Sequence, residues 1–291
     1  LNHTPSEWIV DTPATYAAAG SQHKECTVCH EVLETQPIAQ LEKLAASVSN
    51  IQNLSKTYNG SAVANPTYQT TGDGEVTYEW YQGETKLASA PTDAGTYVVK
   101  VLVAEGAEHK ACEAQQEFTI AKAQGNITIT NGLLSKQYDG QPMSGLTYDG
   151  NFDGTVTVNW TLGGVAVATA PSAVGNVTVK VVVSEGTNYL GCTSNTEVYQ
   201  ISPKKLELDL AMPYDGTTKH TFTLGSDDGI IGAEVVTCVV NWENKNVGAS
   251  AESWILSGAN KDNYEIDSTK FNANIEKCAL KEVSVSKNYD G

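Results

Sequence analysis

Cys26 and Cys29, three residues apart, with His3, His23 and His30 close by in the chain, are the side chains best suited to chemistry. Thiolate sulfur and imidazole nitrogen are the donors of tetrahedral zinc sites, and a Cys-x-x-Cys spacing sets two sulfurs on one turn. The second paired arm of a zinc ribbon is missing, so a zinc ion here must draw its ligands from Cys26, Cys29, His3, His23 and His30. The same pair suits a disulfide in an oxidising compartment, or two free thiols on a hairpin. All three states are compatible with the residues.

The other cysteines carry less. Cys112 and Cys192 stand at equivalent points of two similar segments, which predicts separate free thiols. Cys238 and Cys278 fall within one segment, and a disulfide between them would close a loop of about 40 residues, worth about 3–4 kcal/mol in the chain-entropy picture. Outside the first module the only histidines are His109 and His220, the sole candidates there for a general base, both in polar stretches that read as surface. There is no Gly-x-Ser-x-Gly elbow, no His-Glu-x-x-His and no phosphate loop, so no catalytic residues are assigned and an enzyme is not expected. Tyr78, Tyr81 and Tyr97 are candidates for stacking against sugar rings. Cross-strand packing of tyrosines is the alternative use of the same residues.

The elements that must position these groups are strands. Runs such as Glu75–Trp80, Thr96–Val103, Thr155–Trp160, Val177–Val183 and Val235–Trp242 are β-branched or alternating. Gly72-Asp73-Gly74, Asp153-Gly154, Gly163-Gly164 and Asp227-Asp228-Gly229 punctuate them as turns. Only Ile38–Ser47, with Leu41, Leu44 and Ala45 at helical spacing, predicts a short helix.

Tyr-Asn/Asp-Gly occurs at Tyr58, Tyr138, Tyr214 and Tyr289, which are 80, 76 and 75 residues apart by subtraction. Trp80 and Trp160, Gly95 and Gly175, Glu105-Gly106 and Glu185-Gly186, and Cys112 and Cys192 also recur 80 apart. A fixed period of this length means an array of small modules rather than one large core. The expected divisions are 1–45, 46–123, 124–203, 204–278 and the start of a further unit at 279–291. About 75 to 80 residues with six to eight strands predict an all-β fold: tandem Ig-like β-sandwiches, or a grasp-like variant, in an elongated array. Trp80, Trp160 and Trp242 are expected in the inter-sheet cores, with Tyr58, Tyr138 and Tyr214 plugging the end of each stack. Three such modules in line would span roughly 90–100 Å.

The formal charge is −16, and all eighteen basic side chains are lysine. Without arginine or a basic face, nucleic acid is not an expected partner. No run of eighteen apolar residues crosses a bilayer, so membrane insertion is not expected of this stretch.

Lys136-Gln137-Tyr138-Asp139-Gly140-Gln141-Pro142 and Ala90-Pro91-Thr92-Asp93-Ala94-Gly95-Thr96-Tyr97 resemble the MBG repeats of bacterial surface proteins. Tyr214-Asp215-Gly216, Asn246-Val247-Gly248, Leu256-Ser257-Gly258-Ala259-Asn260 and Asn263-Tyr264 resemble the related YDG repeats. Residues 1–45 resemble a small Cys-x-x-Cys module of clostridial surface proteins, in which another cysteine often stands at the place of Tyr16. The resemblance implies an extracellular, cell-surface or cell-wall-attached protein of gut, Gram-positive bacteria, without catalytic residues or an obligatory cofactor. The expected role is a monomeric spacer or stalk that projects a distal domain. The alternative is an adhesin that binds host or dietary glycans, or surface proteins, through exposed aromatics.

Overall fold

The structure is a computed structural model that describes residues 2–130 and 135–279. The reopening of the repeat motif at 279–291 lies almost wholly outside the described residues. Among the described residues there is no α-helix; two 3-10 turns interrupt an otherwise all-β chain. By contact density the chain divides into two units. One comprises 1–125 together with the loops 152–154 and 185–191, and the other holds the remainder.

The first unit begins with β1 (Ile9–Thr12), β2 (Gly20–Glu25) and β3 (Val32–Ile38), an antiparallel meander in the order β1-β2-β3. From residue 2 to 45 only Gly20 and Cys26 are buried, so ladder hydrogen bonds rather than an apolar core hold this module. The helix expected over Ile38–Ser47 is absent. Leu41 and Leu44 stay exposed, and their backbone groups bond elsewhere: Leu41 N–H to Thr15 O, Leu44 N–H to Glu108 O. Helical spacing without a face to bury gives the helix nothing to stabilise it.

The first repeat follows as β4 (Val48–Gln52), β5 (Lys56–Thr57), β6 (Thr67–Thr70), β7 (Val76–Gln82), β8 (Thr85–Lys86), β9 (Gly95–Val103) and β10 (Cys112–Ala121). A sheet in the order β5-β10-β9-β7-β8 and the pair β4-β6 enclose one core. The alternation of β9 puts Tyr97, Val99, Val101 and Val103 inside, where Trp80 meets Phe118 edge to face at 5.8 Å. The second repeat repeats the plan with β11 (Asn126–Ile129), β12 (Lys136–Gln137), β13 (Tyr148–Asn151), β14 (Val156–Leu162), β15 (Val165–Val167), β16 (Gly175–Val183) and β17 (Cys192–Ser202). Its sheet runs β12-β17-β16-β14-β15 beside the pair β11-β13, with Trp160 and Val177, Val179, Val181 and Val183 buried. Both repeats are β-sandwiches.

The third segment departs from that plan in β18 (Lys204–Leu206), β19 (Asp209–Pro213), β20 (Lys219–Leu224), β21 (Val236–Trp242), β22 (Ala251–Ser257), β23 (Tyr264–Ile266) and β24 (Asn272–Glu276). Parallel pairs β18-β23 and β19-β24 accompany the antiparallel sheet β20-β21-β22. Trp242 is again core, and its indole N–H donates to Ala273 O at 3.2 Å. The Cys238–Cys278 disulfide that the sequence allowed is not formed: Cys238 is fully buried on β21, whereas Cys278 is exposed beyond β24. Burial pushes the Cys238 thiol up to about 11, so it stays a neutral core group.

Candidate functional site

Of the five residues offered as zinc ligands, the fold assembles three. Cys26–Cys29 is a tight turn after β2, closed by Cys26 N–H to Glu31 O and His30 N–H to Cys26 O, each 2.9 Å. The N-terminal segment is fastened across it by the Pro5–Cys26 bridge and by Thr27 N–H to Thr4 O. This carries His3 to the turn, with Nδ1 3.4 Å from Cys29 Sγ. The donor atoms of His3, Cys26 and Cys29 all lie within 4.8 Å of one another. The amides of Cys29 and Val28 and the His3 ring lower the Cys26 thiol, to about 6. Neither remaining histidine joins them. His23 lies on β2 with Nδ1 2.5 Å from Asp11, and His30 turns to Glu25 at 2.9 Å, which raises its pKa. Cys26 and Cys29 are free thiols.

The three tyrosines proposed for sugar stacking do not form one platform. Tyr97 is a core residue stacked on Phe118, its hydroxyl donating to Asp93 O at 2.9 Å. Tyr78 is half-buried against the first repeat's core and meets Tyr68 edge to face. Tyr81 is half-buried as well; Lys100 Nζ lies over its ring at 5.3 Å, and its hydroxyl donates to Glu79. His109 contacts Asp73, and His220 packs on the Phe222 ring.

A second constellation was not foreseen. Each of the three Tyr-Asn/Asp-Gly motifs among the described residues is a side-chain-closed turn. Asn59 Oδ1 accepts from Lys56 Nζ and Ser61 N–H, Asp139 Oδ1 from Lys136 Nζ and Gln141 N–H, and Asp215 Oδ1 from Thr217. The glycines take φ of 78°, 72° and 78°, the left-handed region that explains their identity. Tyr58 packs against its own repeat's core and Tyr138 is buried, and each also finds a ring outside its own repeat. Within the first unit Tyr58 meets Tyr189 edge to face at 5.4 Å; within the second, Tyr138 meets Tyr264 at 5.7 Å, while Tyr214 is 41% exposed.

The partners of these tyrosines lie at one recurring point, where the preceding link docks. Leu44 pairs in parallel with His109, Ala123 with Tyr189, and Lys204 with Tyr264. In the first two cases the adjacent lysine reaches the same loop, Lys43 Nζ to Gly106 O at 2.8 Å and Lys122 Nζ to Gly186 O at 2.7 Å; in the third segment Lys204 Nζ reaches a different loop, at Gly229 O, 2.7 Å away.

In the second unit, Tyr138 and Tyr264 both donate to the Glu234 carboxylate, and Tyr264 oxygen also accepts Ile231 N–H. Burial, then the carboxylate, raises both phenols, Tyr264 to about 12. A phenol whose pKa is raised on folding contributes stability fully present below its unfolded value near 10 and lost as pH climbs through the folded value. Melting temperature should therefore fall between pH 10 and about 12. The fall should be shallower in Tyr264→Phe, as followed by circular dichroism; an unchanged alkaline slope would refute the assignment.

The fold and its recurring joints define a tandem β-sandwich repeat protein. A sequence model of the MBG domain matches residues 46–124 and 127–203, and the chain belongs to that family. No curated protein matches it. Among solved structures, a three-Ig structure of titin domains, an E-to-A mutated variant, is 9% identical, with 74% of this chain and 82% of that one covered at a TM-score of 0.24. Drosophila N-cadherin EC1-4 is also 9% identical, covering 83% and 81%, at 0.20.

Proposed function

We propose that this chain is a non-catalytic spacer of a bacterial cell-surface or secreted protein, which holds a distal functional domain away from its attachment. The observation that carries the reading is the joint. Lys122 alone stands between the end of β10 and the paired Ala123, and Pro203 alone between β17 and β18. Within the second unit, the one-residue Pro203 link, docked at once by the β18–β23 parallel pairing, Lys204 and the Tyr138–Tyr264 contact, restrains the third segment as a Gly/Ser tether does not. Membership of the MBG family and the acidic, arginine-free surface agree with an extracellular setting. No helix among the described residues is long and apolar enough to cross a membrane.

Single-molecule pulling on the chain tests the mechanical role. Separate unfolding events are expected, each releasing about 25 nm at roughly 3.4 Å per residue, alongside no retention on mucin or polysaccharide arrays. A single undivided rupture, or saturable glycan binding abolished by Tyr81→Ala, would replace the spacer by the adhesin reading.

A further inference from the structure

We propose that His3, Cys26 and Cys29 form a binding site for one zinc ion, with the fourth position open to water or another exogenous donor. Zinc–sulfur and zinc–nitrogen bonds of about 2.3 and 2.1 Å at a tetrahedral angle put the S···N edge at about 3.6 Å. His3 Nδ1 and Cys29 Sγ stand 3.4 Å apart, and the third donor, Cys26 Sγ, falls within 4.8 Å of both. The set is already folded to the span of a metal ion.

The surroundings match the donors. His3 presents Nδ1 to Cys29 Sγ while Nε2 faces Glu31 Oε2 at 3.7 Å, a carboxylate placed on the far side of the ring from the sulfurs. His23 and His30 are engaged by Asp11 and Glu25, which leaves a single histidine for the site. Two sulfurs and one imidazole favour zinc over calcium or magnesium, which take oxygen.

The module also lacks any other staple. With only Gly20 and Cys26 buried between residues 2 and 45, its apolar burial is far below what small domains need, and metals or disulfides commonly supply that deficit. A zinc ion at the turn would tie the N-terminal segment to the β2–β3 connection, the two parts that the Pro5–Cys26 bridge already joins. Both sulfurs bind as thiolates, and any thiol proton still held is released to solvent as the metal takes its place.

The test uses the full chain, reduced and stripped with chelator, titrated with Co²⁺ and then Zn²⁺. One equivalent of cobalt should give thiolate-to-cobalt charge-transfer and intense tetrahedral d–d bands, which zinc then bleaches. Zinc should also protect two of the six thiols from a thiol reagent. Cys29→Ser and His3→Ala, both at exposed side chains, should weaken binding by at least about 100-fold, the upper range for loss of a mere outer-shell partner. His23→Ala should bind as the parent does. Absence of the charge-transfer band, undiminished affinity in Cys29→Ser, or a Cys26–Cys29 disulfide that forms equally with zinc present would overturn the site. Should Cys26→Ser unfold the module, the two exposed-residue variants still decide the matter.

Discussion

Trp80→Ala should unfold the first repeat while leaving the third segment folded. The indole is 6% exposed and shares a core with Leu54, Val63, Tyr97, Val99, Phe118 and Ile120. Truncating a buried tryptophan costs about 3–5 kcal/mol, the sum of lost transfer energy and the cavity left behind. A core of this size supplies only about 3–5 kcal/mol of net stability, so the loss consumes the whole margin. Hydrogen exchange should show protection lost across β4 to β10 and retained in β20 to β22, where Trp242 anchors a different core. Uniform loss of protection throughout the chain would mean that the repeats share one cooperative fold. Unchanged protection would mean that Trp80 carries little of the core.

That contrast also shows what the residues disclosed in advance. The three core tryptophans were legible because each stands on an alternating strand, and the alternation has a period that matches the pleat. Tyr97 obeyed the same rule and was nonetheless grouped with Tyr78 and Tyr81 as surface. Its parity with Val99 and Val101 places it inside, and Phe118 confirms it. The joints were hidden for another reason. Lys56, Asn59 and Gly60 make a local turn whose chemistry lies within a few residues, whereas the ring of Tyr58 finds Tyr189, a partner that no local pattern names. His3 was likewise inseparable from His23 and His30 until the Pro5–Cys26 bridge brought it to the sulfurs. Leu41 and Leu44 misled because spacing alone does not reveal whether a face is covered.

Gly106→Ala is the second large effect. A β-carbon there would lie 2.1 Å from Asp73 Oδ1 and 2.8 Å from the Asp73 backbone carbon, so the neighbouring chain itself must move. Asp73 is not free to yield: its carboxylate accepts Glu108 N–H at 2.9 Å and His109 N–H at 3.2 Å, bonds that also hold its own pKa down. Displacing it leaves two amides without their acceptor, at about 1–3 kcal/mol each where water does not replace it. The expected loss is about 2–4 kcal/mol, in the range reserved for broken hydrogen-bond networks. Gly186→Ala should do the same in the second repeat, because its β-carbon would stand 2.0 Å from Asp153 Oδ1 and the Asn188 and Tyr189 amides depend on that carboxylate. Gly225→Ala supplies the contrast, with extended backbone and nothing within 4 Å of the added carbon, and should change stability by less than about 0.5 kcal/mol. Urea unfolding of the three variants measures the difference, and equal midpoints for Gly106→Ala and Gly225→Ala would refute it. The same loops carry the carbonyls that Lys43 and Lys122 bind and the residues that Leu44 and Ala123 pair with. A glycine selected by the closeness of one aspartate thus governs both the closure of a repeat and the seat of the link that precedes it, which is why Glu-Gly recurs where the tyrosine partners do not.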